Sequence, residues 1–305
     1  MANLKGNRVS QIVIHIFFAL FSLLYVLPLL LVISISFSSE KSVTSTTIVN
    51  AGYHLIPTEF SLEAYDMALR SPEQMLQAYF ITAAQAVIGT LGSCLVLGMV
   101  AYPLSRSAFS FRKPVTFIVF FTMLFGGGLI PTYIVYTNIF GLGNNFLVYI
   151  LPGLAGGAWY TLVIRTFFKN LPESLFESAK IDGAREITIF LRIAMPLSTP
   201  AFATVGFLML VTKWNDWNTS LIYIRDARLY TLQYLLQRIL NEAKFLMDLA
   251  ASGKASQITA VQTMRLPMET LRYAMCVLAA GPMLIIFPLF QKYFASGLTV
   301  GAIKG

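Results

Sequence analysis

Long apolar runs separated by short polar connections set the pattern of this chain, and one charged amphipathic segment interrupts it. Six runs, near 12–35, 77–104, 115–137, 146–166, 197–214 and 273–291, approach or exceed the roughly 20 apolar residues needed to cross a bilayer core. They predict an all-α membrane protein with six transmembrane helices. Pro28, Pro103, Pro131, Pro152, Pro200, Pro282 and Pro288 fall in or beside these runs. Within a membrane such prolines persist where neighbouring helices or a cavity satisfy the freed carbonyls. The stretch Gly126–Pro131, "GGGLIP", predicts a break in the outer half of the third span. Such a break either lets helices approach or exposes backbone to a substrate path. Between the last two runs, Leu229, Leu232, Leu236, Ile239, Ala243, Leu246 and Ala250 recur every three or four residues and predict a further amphipathic helix. It lies along the membrane surface or docks a partner outside the cell.

Composition sharpens this picture. Of 305 residues, 56% are hydrophobic and only 12% charged, against about 25% charged in soluble domains. The net charge of +8 comes without basic runs interleaved with exposed aromatics, so it does not point to nucleic acid. Basic residues instead flank the spans, as orientation in a membrane requires. Lys5 and Arg8 precede the first run; Arg106, Arg112 and Lys113 lie in the second connection; Arg165, Lys169, Lys180, Arg185 and Arg192 lie in the fourth. The third, "NIFGLGNN", has none. Both termini and the charged fourth connection are therefore expected in the cytoplasm. The connection over 215–272 is also basic, but long external segments obey this rule poorly. The first run exceeds a signal peptide's apolar core of about 7–15 residues and no cleavage pattern follows, so it reads as a retained span.

Cys94 and Cys276 lie in apolar runs and His15 and His54 stand apart, so no recognisable zinc spacing arises. "ASGKAS" (251–256) imitates a phosphate-binding loop, but Asp248 stands where its first glycine belongs and Ala255 where Ser or Thr belongs. No paired carboxylates or nucleophile–base arrangement suggests an enzyme.

The charged segment is Glu177–Pro196, "ESAKIDGAREITIFLRIAMP". Phe176, Ala179, Ala184, Ile187 and Leu191 are expected along one side of a helical pair, with Gly183 supplying the turn between. A connection alone needs only a few polar residues. Small residues at Ser178, Ala179, Gly183 and Ala184 leave two readings open: a surface on which another protein packs closely, or a helix resting on lipid headgroups.

Glu177-Ser178-Ala179, three intervening residues, Gly183, nine intervening residues, then Ile193 to Pro196, resemble the E-A-A…G…I-x-L-P loop of ATP-binding-cassette (ABC) import permeases. Ser178 replaces an alanine and Met195 the leucine. "GGGLIPTYIV", "ESLFESAKIDGA", "IAMPLSTPAFATV", "WNDWNTSLIYI" and "FPLFQKYFASGLTVGAIKG" are similar to the maltose-type carbohydrate branch, its oligosaccharide permeases in particular, over about 75–305. The resemblance implies a type I importer fold, with residues 1–75 forming the first span and an external loop. Residues 76–305 would form the core permease, with a coupling loop (167–196) and a C-terminal tail. It implies half of a pore in a bacterial plasma membrane, completed by a second, homologous permease. Two cytoplasmic ATPases would bind ATP and magnesium, this chain would hold no cofactor, and an extracellular solute-binding protein would deliver the sugar. Glu177, Ser178, Ala179, Asp182, Gly183, Ala184 and Pro196 would couple to an ATPase, and the tail Gly297–Gly305 would touch the ATPase pair.

Sugars are held by aromatic faces and by side chains that both donate and accept. Trp214, Asn215, Asp216, Trp217 and Asn218 of "KWNDWNTS" (Lys213–Ser220), with Trp159, Tyr160 and Gln85, are the substrate-path candidates. Interfacial anchoring accounts for the tryptophans equally well. An ion-driven secondary transporter or channel is the competing class. It would ordinarily carry carboxylates within its spans, and here Asp and Glu avoid the span centres.

Overall fold

The computed structural model describes residues 8–44, 52–154, 157–251 and 267–302, with side chains from residue 11 to 249 and 267 to 291 within those stretches. "ASGKAS" falls almost wholly outside them. The helices run in order α1 (Arg8–Ser36), α2 (Glu40–Thr44), α3 (Glu63–Ala68), α4 (Pro72–Ser105), α5 (Arg112–Leu124), α6 (Leu129–Ile134), α7 (Leu151–Leu154), α8 (Ala158–Lys169), α9 (Glu173–Ile181), α10 (Glu186–Ile189), α11 (Met195–Leu197), α12 (Thr199–Trp214), α13 (Asn218–Tyr223), α14 (Leu232–Ala251) and α15 (Met268–Ala302). Among the described residues the only β pairing is an isolated bridge between Ser38 and Phe60.

Three segments are long and apolar enough to cross a membrane unaided: Gln11–Ser36, Pro72–Ser105 and Met268–Gln291. Three bent pairs raise the number to as many as six. The run expected as one third span is instead α5 and the stretch Leu129–Ile139, meeting at 112°. Gly128, at φ +83°, makes the reversal, so "GGGLIP" does break the run. The expected fifth span begins two residues late, at Thr199, after an 80° turn from the segment Glu186–Leu197. Pro200 occupies the first turn of α12, where its missing N–H is harmless. The 16 residues of α12 reach only about 24 Å, short of the roughly 30 Å hydrocarbon core. The fourth expected span is likewise divided, between α7 and α8.

The chain divides into two compact units, Met1–Pro72 with Leu236–Pro282, and Glu73–Leu235 with Met283–Gly305. In the first, the chain leaving α1 is pinned by Phe37, which stacks on Phe60 and Tyr65 with centroids 5.8 and 5.0 Å apart. Ser36 Oγ and the Tyr65 hydroxyl are hydrogen-bonded at 2.9 Å. Glu40 caps the start of α15: its carboxylate accepts from the backbone N–H of Glu269 (3.1 Å) and Thr270 (3.0 Å) and from the Thr270 hydroxyl (3.0 Å). The two backbone N–H groups are donors that a helix N-terminus leaves unsatisfied.

In the second unit, α4 shows the inverted logic of a membrane helix. Its buried stripe is small or polar, including Ala78, Thr82, Gln85, Ala86, Gly89 and Ser93, while Leu76, Phe80, Ile88, Leu91 and Met99 are exposed. Lipid is as apolar as leucine, so close backbone approach and polar pairing take over the work of association. Gly98 shows how close: a Cβ there would lie 2.9 Å from the ring of Phe202. One core joins Leu97, Tyr102, Ile164, Phe168, Phe176, Ile189, Phe190 and Val205; a second joins Ile81, Val148, Tyr149, Ile150, Ile224 and Tyr230. The predicted amphipathic helix is α14, with Leu232 and Ala243 buried. The backbone of α15 continues helically through Ala302, into the segment read as a tail.

Candidate functional site

The charged segment forms a helix, a turn and a second helix. α9 ends in a Schellman motif: Ala184 N–H donates to the Ala179 carbonyl at 2.9 Å and Gly183 N–H to Lys180 at 3.0 Å. Gly183 sits at φ +77°, the left-handed region that favours glycine, with no atom within 4 Å of where a Cβ would be. The turn is therefore where the sequence placed it, but the constraint on Gly183 within this chain is its backbone rather than crowding.

Phe176 and Ala179 of α9 are buried, and Ala184 packs beside them. Beyond the turn the expected apolar face is wrong by two residues. Ile187 and Leu191 are 51% and 47% exposed, whereas Ile189, Phe190 and Ala194 are buried. The left-handed turn resets the helical phase, and a π-helical stretch at Phe190–Ala194 changes the period again.

The outward face of α9 presents Glu177, Ser178, Ile181 and Asp182, with Ile181 86% exposed. Glu177 enters none of the ion pairs among the described residues, and Pro196 is exposed as well. Behind α9 the inner face is wired to neighbouring helix ends. Arg106 donates to the Phe168 carbonyl at 2.7 Å, and Arg165 donates back to the Leu104 carbonyl at 2.9 Å. Both bonds satisfy carbonyls near helix C-termini with cations, the favourable sign for the dipole. Burial pulls the Arg106 guanidinium below its usual range, opposed by the negative charge of Glu173 and Glu186 and by Tyr102. Glu186 binds Lys180 at 2.7 Å and accepts from the Tyr102 hydroxyl at 2.8 Å, which ties the second helix to α9 and α4.

A second site lies at the other end of α12. Tyr160, Asn215, Asp216, Trp217 and Asn218 line one cleft of about 570 Å3, together with Tyr149, Gly153, Thr212, Lys213 and Thr219. Three of the sequence candidates stand apart. Trp214 is 4% exposed, on the inner side of its helix, and Trp159 is half-exposed, with its ring edge-on to Tyr160 at 5.1 Å. Gln85 is 1% exposed, and its amide donates to the Lys213 carbonyl at 2.8 Å, so its partner is backbone behind the cleft. The residue not nominated from sequence is Lys213, quoted only as the start of its segment. A lysine inside an apolar run was the available signal.

The cleft's rim is rigid. Tyr149 donates to the Leu229 carbonyl at 2.8 Å and pairs with Ser220 Oγ at 2.7 Å, and Thr231 Oγ1 donates to the Asp216 carbonyl at 2.9 Å. Asn144, at φ +52°, accepts from the N–H groups of Arg225 and Asp226 at 2.9 and 2.8 Å. On the exposed turn beyond, hydrogen bonds from Arg228 hold the Asp226 carboxyl below its ordinary range.

No protein-family model matches the chain. It is 37% identical over 98% of its length, and 99% of the relative's, to the polygalacturonan/rhamnogalacturonan transport system permease protein YtcP of Bacillus subtilis (strain 168). It is 34% identical over its whole length, and 98% of the relative's, to the protein LplC of the same organism. Among solved structures, a chain of a bacterial ABC transporter that imports the acidic polysaccharide alginate superimposes with a TM-score of 0.71 at 28% identity, covering 96% of this chain and 99% of that one.

Proposed function

The chain belongs to the carbohydrate permeases of ABC importers, and from that premise we propose that it forms half of a pore for acidic oligosaccharides, driven through α9. It crosses the bacterial plasma membrane six times with both termini in the cytoplasm, each bent pair serving as one span. A second, homologous permease completes the pore, and an extracellular solute-binding protein presents the sugar. Two cytoplasmic ATPases bind the ATP and magnesium; this chain holds neither. The tail contacts the ATPase pair.

The observation that carries this reading is the two-faced build of α9. Its inner side is clamped to the membrane core through Phe176, Ala179 and the Arg106 and Glu186 contacts. Its outer side offers Glu177, Ser178, Ile181 and Asp182 to solvent. A helix bound on one face and free on the other transmits a push from a partner to the spans it is tied to. Closure of an ATPase pair on ATP would bind one state of this helix better than the other, and that difference is what couples hydrolysis to the pore. The acidic substrate rests on likeness to a polygalacturonan/rhamnogalacturonan permease and to an alginate importer, both systems for acidic polysaccharides.

Purification through a tag on this chain tests the assembly: an ABC ATPase and a second permease should copurify in detergent. Deletion of the chain should abolish uptake of acidic oligosaccharides supplied as a panel. Recovery of this chain without an ATPase, and unchanged uptake in the deletion, would overturn the reading.

A further inference from the structure

Among the described residues, Lys213 is the one lysine or arginine lining the outer cleft. Its ammonium reaches back into the molecule, where Nζ donates to the Tyr149 carbonyl at 3.3 Å. Two glycines make that course possible: a Cβ on Gly89 would fall 2.8 Å from Nζ and Cε, and one on Gly153 would fall 2.7 Å from Nζ. Neither position tolerates a side chain while the lysine lies there. An ammonium has three donors, and a single long carbonyl contact leaves it under-satisfied.

The nearby acid lies within electrostatic reach but makes no direct ion pair with it among the described residues. Asp216 turns its Oδ1 to the Thr219 N–H at 3.1 Å. A partly buried charge is costly unless something pairs with it. Around it stand the groups an uncharged sugar ring needs. Tyr160 and Trp217 bring aromatic rings and Asn218 an amide, while Thr212 and Asn215, which donate to the Leu208 and Val211 carbonyls at 2.8 and 2.9 Å, keep oxygen acceptors. A neutral sugar offers the ammonium only hydroxyl acceptors; a carboxylate also offers it a counter-charge, and the stronger bond that goes with it.

We propose that Lys213 makes this cleft selective for acidic sugars, its ammonium pairing with the carboxylate of a uronate unit while the aromatic and amide side chains hold the ring. The inference rests on the importer reading and adds to it the residue that reads the substrate's charge. Asp216, fixed by Thr219, disfavours a second carboxylate nearby and so sets the register of the chain in the cleft.

The test is isothermal titration of the purified complex, without its binding protein, using trigalacturonate and its carboxyl-reduced neutral counterpart. The wild type should bind the acidic trimer more tightly, with a preference that weakens as salt rises. Lys213→Gln should erase that preference by weakening acidic binding about tenfold or more, as loss of one partner of a desolvated charge pair does. Lys213→Arg should preserve it, which also shows that the site stays folded. Equal loss of both sugars in Lys213→Gln, unchanged binding of the acidic trimer, or no acidic preference in the wild type would each overturn the proposal. Uptake by vesicles holding the wild-type complex and binding protein is scored separately: failure to import either sugar would count against the importer reading and leave the titration to judge Lys213.

Discussion

The guanidinium carbon of Arg106 lies 3.6 Å from the centroid of the Phe176 ring, so a cation just past the end of α4 sits over the buried anchor of α9. The same guanidinium donates to the Phe168 carbonyl and lies 5.5 Å from the Tyr102 ring. One side chain thus joins α4, α8 and α9, and gives a force applied to α9 one route to the spans, beside the core packing of Phe176 and the Lys180–Glu186–Tyr102 contacts.

Replacing Arg106 with lysine keeps the charge but loses the planar stacking and the fork of donors. A cation–π contact is typically about 0.5–2 kcal/mol, the upper end when desolvated. Arg106→Lys should therefore loosen the seat of α9 without unfolding the membrane core. The expected result is a complex that still assembles but loses stimulation of ATP hydrolysis by sugar-loaded binding protein. Full stimulation in proteoliposomes would show that α9 does not transmit through this contact.

How much of this was legible in the sequence depends on which force fixed each feature. The apolar runs, the break at "GGGLIP" and the turn at Gly183 follow from composition and backbone freedom, which are local. The face of the second helix was misread because Ile187 and Leu191 fit the period of α9. A left-handed turn and a π-helical stretch changed that period, and Ile189 and Phe190 went inward instead. The pairing of Gln85 with Lys213 across 128 residues, and the room that Gly89 and Gly153 leave for the lysine, are tertiary facts with no local trace. The tryptophans of "KWNDWNTS" divided because α12 ends between them: Trp214, its last residue, is buried, while Trp217, in the non-helical connection before α13, lines the cleft.

Orientation makes a direct prediction. Asn145 and Ser110 are both exposed, in connections expected on opposite sides of the membrane. An impermeant thiol reagent added outside intact cells, with the native cysteines removed, should label Asn145→Cys and leave Ser110→Cys unmodified until the cells are opened. The reverse pattern would invert the topology.

Glu40 supplies a prediction on stability. Its carboxylate accepts three hydrogen bonds at the start of α15, where negative charge also meets the positive end of the helix dipole. Losing a cap typically costs about 0.5–2 kcal/mol. Glu40→Ala should lower the thermal unfolding midpoint of the purified complex in detergent. Glu40→Gln, which keeps an acceptor but not the charge, should fall between it and the wild type. Equal midpoints for all three would mean that water caps the helix as well as Glu40 does.

Gly183 and Glu177 separate two contributions of α9 to coupling, the turn and the surface charge. Glu177 is exposed and unpaired among the described ion pairs, so it is free to meet a basic group on an ATPase. An exposed pair of that kind is worth only about 0.2–1 kcal/mol. Gly183 holds the Schellman turn at φ +77°, where a residue with a Cβ pays roughly 1–2 kcal/mol in backbone strain. Leucine there would also project into the open space that an ATPase is proposed to fill. Gly183→Leu should therefore uncouple transport more severely than Glu177→Ala. Gly183→Asn, whose side chain tolerates the left-handed region, should retain more activity than the leucine variant. The measurement is ATP hydrolysis stimulated by sugar-loaded binding protein, together with uptake, in proteoliposomes holding the whole complex. Binding of the ATPase is checked separately, so that a failure to assemble is distinguished from a failure to couple. Normal uptake by Gly183→Leu with its ATPase bound would show that the turn after α9 is not part of the lever.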